Sequence, residues 1–365
     1  MKYVRMPIEI ESPEQMGYEN VRYNLTESSV SDQLLGNLNL DLSKTLLCYG
    51  DHAGMPALRE VLAKPYNLGI KEILVTQGAA SALFIVATGL LSKGDHMLVM
   101  HPNYATNIET PKAIGCEVEK IELKFALNFR PDLEAIKKQI KPHTKLISIT
   151  TPHNPTGMTL TEEELLFFIE LAETNNCYLL VDETYRELAF QKPTTLAACL
   201  SPKVISVSSL SKAYGLPGIR TGWIITINKQ LQELFLAAKE QIFVTNSVLD
   251  ETVALKFLEN GEVWLKESRQ RNIKHFELVK AFIAKEKRLN WVEPQGGVVC
   301  FPRIEPMISL ELFYNTLNHM YYTYVGPGHW FDVNKEFFRI GYGWPATSDL
   351  KAGLQNIKAA LDACG

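Results

Sequence analysis

The stretch 204-VISVSSLSKAYGLPGIRTGWIITI-227 places two apolar runs rich in β-branched residues on either side of a polar turn. Runs that are almost continuously apolar, rather than alternating, are typical of strands covered by helices on both faces. The turn between them carries Lys212 and Arg220 beside several serines. The stretch therefore predicts two buried strands joined by a turn with functional side chains.

The same rhythm extends from Ile73 to Ile227, where short apolar runs alternate with longer helical patterns. Such alternation indicates βαβ units and a mostly parallel sheet. A capping box that starts at Thr161 and ends at Glu164 predicts a helix at about 161–175. Seven strands are predicted, at 73–78, 96–102, 117–123, 145–151, 178–183, 204–209 and 222–227.

The pattern changes after Thr245 to long helical stretches that run to about Lys287. Beyond them, strands are predicted at 289–293, 297–302, 322–326 and 337–342, with helices near 308–318 and 347–362. This mixture predicts a second, smaller α+β region. We expect a large domain at 46–265 and a small domain formed by 1–45 together with 266–365.

The composition points to a small-molecule partner. Of 365 residues, 46% are hydrophobic and 21% charged, as in ordinary globular proteins, and the net charge of −4 offers no broad basic field for nucleic acid or an anionic membrane. The six cysteines lack metal-site spacing, so no metal is expected. No stretch approaches the roughly 18 apolar residues of a membrane span, and the N-terminus has no apolar signal region, so a cytoplasmic location is expected.

Polar residues follow several of the predicted strands. In an open parallel sheet, ligands bind outside the carboxyl ends of the strands. The segments there are GAAS at 78–81, PNY at 102–104, PHNPTG at 152–157, DETY at 182–185, SSLSK at 208–212 and GIRTG at 218–222. Together they offer an aromatic ring, an amide, a carboxylate, a phenol, an amine and a guanidinium. This set suits an anionic, planar cofactor that contains nitrogen.

The order N-P-T-G, D-E-x-Y and S-x-S-K, with Arg220 eight residues after Lys212, resembles the class I/II aminotransferases of the pyridoxal-5′-phosphate-dependent fold-type I superfamily. The resemblance runs from about Tyr23 to the C-terminus. It implies an aspartate-aminotransferase-like α/β fold, with a seven-stranded, mostly parallel sheet between helices and a smaller α+β domain. It also implies a transaminase that moves an amino group from an amino acid to a 2-oxo acid in two ping-pong half-reactions, through a Schiff base on Lys212.

Two residues carry the central chemistry that the resemblance implies. After the substrate displaces it from the Schiff base, Lys212 moves a proton between Cα and C4′; the alternative is a surface lysine. Asp182 ends a buried strand, where an unpaired carboxylate is costly, and a protonated pyridine nitrogen is a suitable partner. The alternative for Asp182 is a helix N-cap.

Three further residues resemble the family's contacts to the cofactor ring. Tyr104 corresponds to the aromatic that stacks on the pyridine, although a core aromatic is the alternative. Asn154 and Tyr185 correspond to donors to the phenolic oxygen, with an ordinary turn residue and a packed ring as their alternatives.

The phosphate is expected at a helix start. Backbone amides of Gly78, Ala79 and Ala80, aided by the helix dipole, are expected to bind it where relatives often use a hydroxyl or lysine side chain. Ser209, Ser211 and Arg220 complete the predicted cradle.

Subunit and substrate contacts are implied by the resemblance alone. Tyr49 matches the family's Y-x-x-x-x-G-x-x-x-L-R signature, whose tyrosine reaches the neighbouring subunit's phosphate, so a homodimer with shared active sites is expected. Arg339, with Asn154, is expected to bind the substrate α-carboxylate; a protein carboxylate is the alternative partner. Thr26 stands where relatives often have glycine and is expected to narrow the pocket or alter the loop's φ. Glu27 faces either a basic substrate side chain or solvent.

Other functions remain open at this point. A lyase, decarboxylase, racemase or cyclase uses the same fold and cofactor residues. A ligand-sensing module is disfavoured because no basic helix-turn-helix segment is present, and a dinucleotide-dependent dehydrogenase because no G-x-G-x-x-G follows a predicted strand. Four histidines near the motifs are interpreted as structural or as supporting the residues that contact the ligand, namely His52, His101, His153 and His329.

Overall fold

Strands and helices alternate through the computed structural model, which describes residues 1–305 and 307–364. The strands are β1 (Tyr23–Leu25), β2 (Ile73–Thr76), β3 (His96–His101), β4 (Glu117–Glu122), β5 (Thr144–Thr150), β6 (Tyr178–Asp182), β7 (Val204–Ser209), β8 (Gly222–Ile225), β9 (Leu289–Asn290), β10 (Val299–Cys300), β11 (Arg303–Ile304), β12 (Thr323–Pro327) and β13 (Phe338–Gly341). The α-helices are α1 (Pro7–Glu11), α2 (Pro13–Met16), α3 (Pro56–Ala63), α4 (Gly78–Leu90), α5 (Thr106–Ile114), α6 (Leu133–Gln139), α7 (Glu162–Thr174), α8 (Lys229–Ile242), α9 (Val248–Leu258), α10 (Gly261–Ile283), α11 (Leu310–Asn315) and α12 (Thr347–Asp362).

The seven predicted strands of the central region form one sheet, which confirms that prediction. Its order is β2-β8-β7-β6-β5-β3-β4. Neighbouring strands are parallel except at β8, which is antiparallel to both β2 and β7. The connection from β7 to β8 contains no α-helix that would cross back over the sheet, so the chain returns in the opposite direction. As a result, β8 begins at the edge where β7 ends.

Both faces of this sheet are covered. Leu146 of β5 and Leu180 of β6 pack in the apolar cluster that includes residues of α4 and α8. Their neighbours Ile147 and Leu179 point to the opposite cluster, which includes residues of α7. Helix α7 begins after Thr161 with the predicted capping box. Burial on both faces explains why these strands are almost continuously apolar.

The two ends of the chain meet in a second sheet, of order β1-β12-β13-β10. Strand β1 pairs in parallel with β12, so residues from both ends of the chain share this sheet. The bounds of the two domains stay a prediction, and position 266 lies inside α10. The predicted strands 289–293 and 297–302 are shorter in the structure, where only β9 and β10 pair in a sheet. The prolines at 294 and 302 lie in or next to the lost parts, and proline donates no ladder hydrogen bond.

The N-terminal helices α1 and α2 were not predicted. Each begins with a proline at its first position, Pro7 and Pro13, a placement that suits the missing amide donor. Neither these nor any other helix within the described residues is long and apolar enough to cross a membrane.

Candidate active site

A cavity of about 270 Å³ lies at the carboxyl edge of the central sheet. All but two of the predicted site residues line it: Thr26, Ala79, Ala80, Tyr104, Asn154, Asp182, Tyr185, Ser209, Ser211, Lys212, Arg220 and Arg339. The exceptions are Gly78, which lies directly behind Arg220, and Tyr49, which is exposed elsewhere on the surface. The sheet brings the residues together because β5, β6 and β7 end, and β8 begins, at this edge.

Asp182 is the last residue of β6 and is buried, in register with Thr150 of β5 and Val207 of β7. Its Oδ1 accepts a hydrogen bond from the Thr184 amide at 3.1 Å, and within the described residues no lysine or arginine forms an ion pair with it. No α-helix begins at Asp182, so it is not an α-helix N-cap. Burial raises the pKa of Asp182. A buried carboxylate that faces a cavity without a cationic partner suits a protonated ring nitrogen.

Lys212 follows β7 and lines the same cavity, so it is not a surface lysine. Burial lowers the pKa of its amine, Arg339 and Arg220 lower it further, and Glu27 opposes them. A lowered pKa increases the fraction of neutral amine, which is the form that attacks an aldehyde or removes a proton.

The end of the cavity where a phosphate was predicted is built from a helix start and a guanidinium. Gly78 opens α4 with φ +75°, and a Cβ there would lie 2.6 Å from Nη2 of Arg220. Arg220 itself has φ +40°, a strained conformation for a non-glycine residue, and donates to Ser211 Oγ at 3.2 Å and to the Pro217 carbonyl at 2.8 Å. Amides and a guanidinium without bulky neighbours suit a phosphate group.

Two phenols lie where the cofactor ring is expected. Tyr104 lines the cavity while also packing beside the apolar cluster on the sheet, so its two interpretations are compatible. Tyr185 is buried, and burial raises its pKa to about 12. It therefore remains a protonated hydrogen-bond donor at neutral pH.

Arg339 of β13 joins the two chain regions that were expected to bind substrate. Its Nη1 donates to Asn154 Oδ1 at 3.0 Å and its Nη2 donates to the Thr26 carbonyl. Its side chain forms no ion pair with a carboxylate in the described part of the chain, and its buried Nε has no partner there. Thr26 has no positive φ, and its amide and hydroxyl both donate to Asn24 Oδ1. That it narrows the pocket or changes the loop's φ relative to a glycine stays a prediction.

The N-terminal helices also contribute to the cavity, which the sequence did not predict. Residues of α1, α2 and their junction line the cavity: Ile8, Glu9, Ser12, Pro13 and Glu14. Glu11 anchors this segment, because its Oε2 lies 2.6 Å from His329 Nε2 and accepts from Trp330 Nε1 at 2.8 Å. In the sequence, Pro7 and Pro13 indicate where the two helices begin, but they do not indicate that the helices line the cavity. Among the described residues, no histidine lines the cavity.

Comparison with known proteins agrees with this geometry. The family model described as aminotransferase class I and II matches residues 22–357. The chain is 27% identical to a pyridoxal-phosphate-dependent aminotransferase from Streptococcus suis, with a TM-score of 0.93 over 100% of this chain and 99% of that one. It is 26% identical to an aspartate aminotransferase from Pyrococcus horikoshii (86% and 83% covered) and 27% identical to a capreomycidine synthase from Streptomyces vinaceus (90% and 84% covered).

The chain therefore belongs to the class I and II aminotransferases, and it has the aspartate-aminotransferase-like fold. It is a transaminase that depends on pyridoxal 5′-phosphate, as the resemblance implied. The synthase among its relatives supports the lyase or cyclase alternative only weakly.

Proposed function

We propose that the cavity residues divide between cofactor and substrate. When bound, pyridoxal 5′-phosphate supplies an aldehyde that takes the amino group and a ring that withdraws electrons from Cα. The residues proposed to hold it are Gly78, Ala79, Ala80, Tyr104, Asn154, Asp182, Tyr185, Ser209, Ser211, Lys212 and Arg220. The observation that carries this proposal is that one cavity contains the Lys212 amine, the unpaired Asp182 carboxylate and the Arg339–Asn154 pair.

The substrate end is proposed to orient the α-carboxylate. The guanidinium of Arg339, already positioned by Asn154 and the Thr26 carbonyl, binds that carboxylate through charge-assisted hydrogen bonds. This places Cα of the amino acid within reach of Lys212. The neutral Lys212 amine would take the proton from Cα of the amino acid and deliver it to C4′, the carbon that carries the cofactor's aldehyde, and for the 2-oxo acid it would move a proton in the opposite direction, from C4′ to Cα.

A single-turnover experiment tests this function. The holoenzyme with an amino acid alone is expected to release one equivalent of 2-oxo acid per site and then stop, because the amino group stays on the enzyme. Addition of a second 2-oxo acid restarts turnover, and holoenzyme with the oxo acid alone is the control. Continuous product formation without any oxo acid would contradict the proposal and favour the lyase, decarboxylase, racemase or cyclase reaction.

A homodimer with shared sites is proposed as well. The side chain of Tyr49 is 83% exposed and lies outside its own chain's cavity, beside Leu46 and Leu47, which are 76% and 73% exposed. Exposed apolar side chains next to one another favour an interface with another protein surface. We propose that a second copy covers them and that Tyr49 donates to the phosphate bound in that copy.

A cytoplasmic location is also proposed, supported by scattered cysteines without disulfides among the described residues.

The Tyr49→Phe variant is expected to weaken binding of pyridoxal 5′-phosphate by roughly 10- to 100-fold, because a hydrogen bond to a charged group is lost. Titration of the cofactor-free protein measures this change. Mixing Tyr49→Phe chains with Lys212→Ala chains then shows whether sites are shared. In a mixed dimer with shared sites, one site has both Lys212 and Tyr49, so mixing restores tight binding and activity. Failure of the mixture to gain activity would contradict shared sites.

A further inference from the structure

Three glutamates form an acidic wall of the cavity. Glu9 of α1, Glu14 of α2 and Glu27 of the segment after β1 all line it. Among the described residues, none of the three carboxylates lies within an ion-pair distance of a lysine, arginine or histidine. Arg5, which lies nearby, donates to the Glu9 main-chain carbonyl and to Gln15 rather than to a carboxylate.

Glu27 is held in place without being neutralised. Its Oε1 accepts from the Tyr18 hydroxyl at 3.2 Å and from Asn24 Nδ2 at 3.3 Å, and both donors are uncharged. The main-chain carbonyl of Glu27 lies so close to Gly341 that a Cβ at position 341 would clash with this carbonyl. Burial and then repulsion by Glu14 raise the pKa of Glu27, whereas Lys212 and Arg339 lower it. The carboxylate is therefore fixed in position and faces the cavity.

The cations of the cavity are committed to other groups. The lining cations are Lys212, Arg220 and Arg339, and the proposed function assigns the first two to the cofactor and the third to the α-carboxylate. The unpartnered Nε of Arg339, a residue only 3% exposed, points independently to an anionic ligand group at that end. Among the described residues, no further lysine or arginine lines the cavity to bind an acidic substrate side chain.

Apolar side chains lie in the same cavity. Ile8 of α1, Leu83 of α4 and Trp330 contribute apolar surface to its lining. A long cationic side chain packs its methylene stem on such surface and keeps its charged end at polar groups. The cavity thus combines an arginine for a carboxylate, apolar surface for a stem and carboxylates for a cation.

We propose that the amino donor of this transaminase is an α-amino acid whose side chain ends in an ammonium or guanidinium group, bound by Glu27 together with Glu14 and Glu9. The inference rests on the proposed function, since it needs Arg339 to bind the α-carboxylate. The three carboxylates also discriminate against donors with an acidic side chain, because like charges repel each other in a cavity with restricted solvent.

Donor specificity of the holoenzyme tests the proposal. The ratio kcat/KM for arginine, lysine and ornithine is expected to exceed that for the neutral counterparts citrulline and norleucine by about 10- to 100-fold, and aspartate and glutamate are expected to be the poorest donors. Comparing kcat/KM for arginine with the values for lysine and ornithine shows whether the site prefers a guanidinium or an ammonium group. An equal rate for arginine and citrulline, or a preference for aspartate, would overturn the proposal.

Single-residue variants show which carboxylate causes the expected preference for cationic donors. Glu27→Gln is expected to lower kcat/KM for the cationic donors about 10-fold or more and to leave norleucine unchanged or improved, with a smaller effect for Glu14→Gln. Glu19→Gln, in the same segment but outside the cavity lining, is the matched control and is expected to behave as wild type. An equal loss for every donor in Glu27→Gln would overturn the proposal and assign Glu27 to positioning Lys212.

Equilibrium binding gives a readout without turnover. The analogue α-methylornithine has no α-hydrogen to lose, and it is expected to bind the wild-type holoenzyme about 10-fold more tightly than the Glu27→Gln holoenzyme, as measured by calorimetry. Equal affinity for the two proteins would overturn the proposal. If amino acids of every charge fail to transfer their amino group, the proposed function itself is overturned, and the substrate class with it.

Discussion

Replacement of Lys212 by alanine is expected to abolish transamination, with kcat lowered by about 10³-fold or more. Lys212 is the amine that lines the cavity beside Asp182 and Arg339, and burial lowers its pKa. Its loss removes both the attacking amine and the group that moves the Cα proton. After borohydride reduction, intact mass is expected to show cofactor attached covalently to the wild type and none attached to Lys212→Ala.

Two controls separate the chemical role of Lys212 from a folding defect. Lys229→Ala changes an exposed lysine at the start of α8 and is expected to retain both activity and covalent attachment. Addition of a small primary amine to Lys212→Ala is expected to restore part of the rate, because the amine can take the proton in place of the side chain. Cofactor that remains covalently attached to the alanine variant would contradict the assignment.

Replacement of Asp182 by asparagine is expected to give the second-largest loss. Removal of one partner of a buried ion pair costs about 3–5 kcal/mol, which corresponds to a loss of roughly 150- to 5,000-fold in kcat/KM. Asparagine retains an oxygen for the Thr184 amide but carries no charge to hold a proton on the ring nitrogen. Steady-state kinetics at saturating cofactor measures the loss, and Asp182→Glu, which keeps the charge, is expected to lose less.

The stability of the cofactor-free protein shows whether Asp182 serves the ring nitrogen of the cofactor or supports the fold. Because burial raises the pKa of Asp182, the folded chain without cofactor holds the proton to a higher pH than the unfolded chain does. Its stability therefore falls as pH rises from the unfolded pKa through the folded pKa. Asparagine does not ionise, so the Tm of cofactor-free Asp182→Asn at neutral pH is expected to equal or exceed that of wild type. A lower Tm would indicate a structural role.

Much of the site could be predicted because its residues follow strands in the chain. Asp182, Ser209 and Lys212 come directly at or after buried strands whose apolar runs are visible in the sequence, and parallel strands end at one edge of their sheet. Arg220 was predicted because its position eight residues after Lys212 resembles the family's motif. The antiparallel direction of β8 explains how Arg220, which precedes that strand, reaches the same edge.

The acidic wall could not be predicted in the same way. Glu9 and Glu14 lie on short helices opened by Pro7 and Pro13, and short helices carry little periodic signal. Their position over the cavity depends on Glu11, which binds two residues of the distant 3-10 turn Gly328–Phe331.

The sequence by itself determined the class of protein, the seven strands and the order of the cofactor motifs, because apolar period and local spacing are properties of neighbouring residues. Only the tertiary structure decided which residues from the two ends of the chain line the cavity. Arg339 meets Asn154 across 185 positions and Thr26 across 313 positions, and Glu27 meets the N-terminal helices in the same cavity. Contacts between such distant residues depend on how the two sheets and the N-terminal segment pack, which no local pattern specifies.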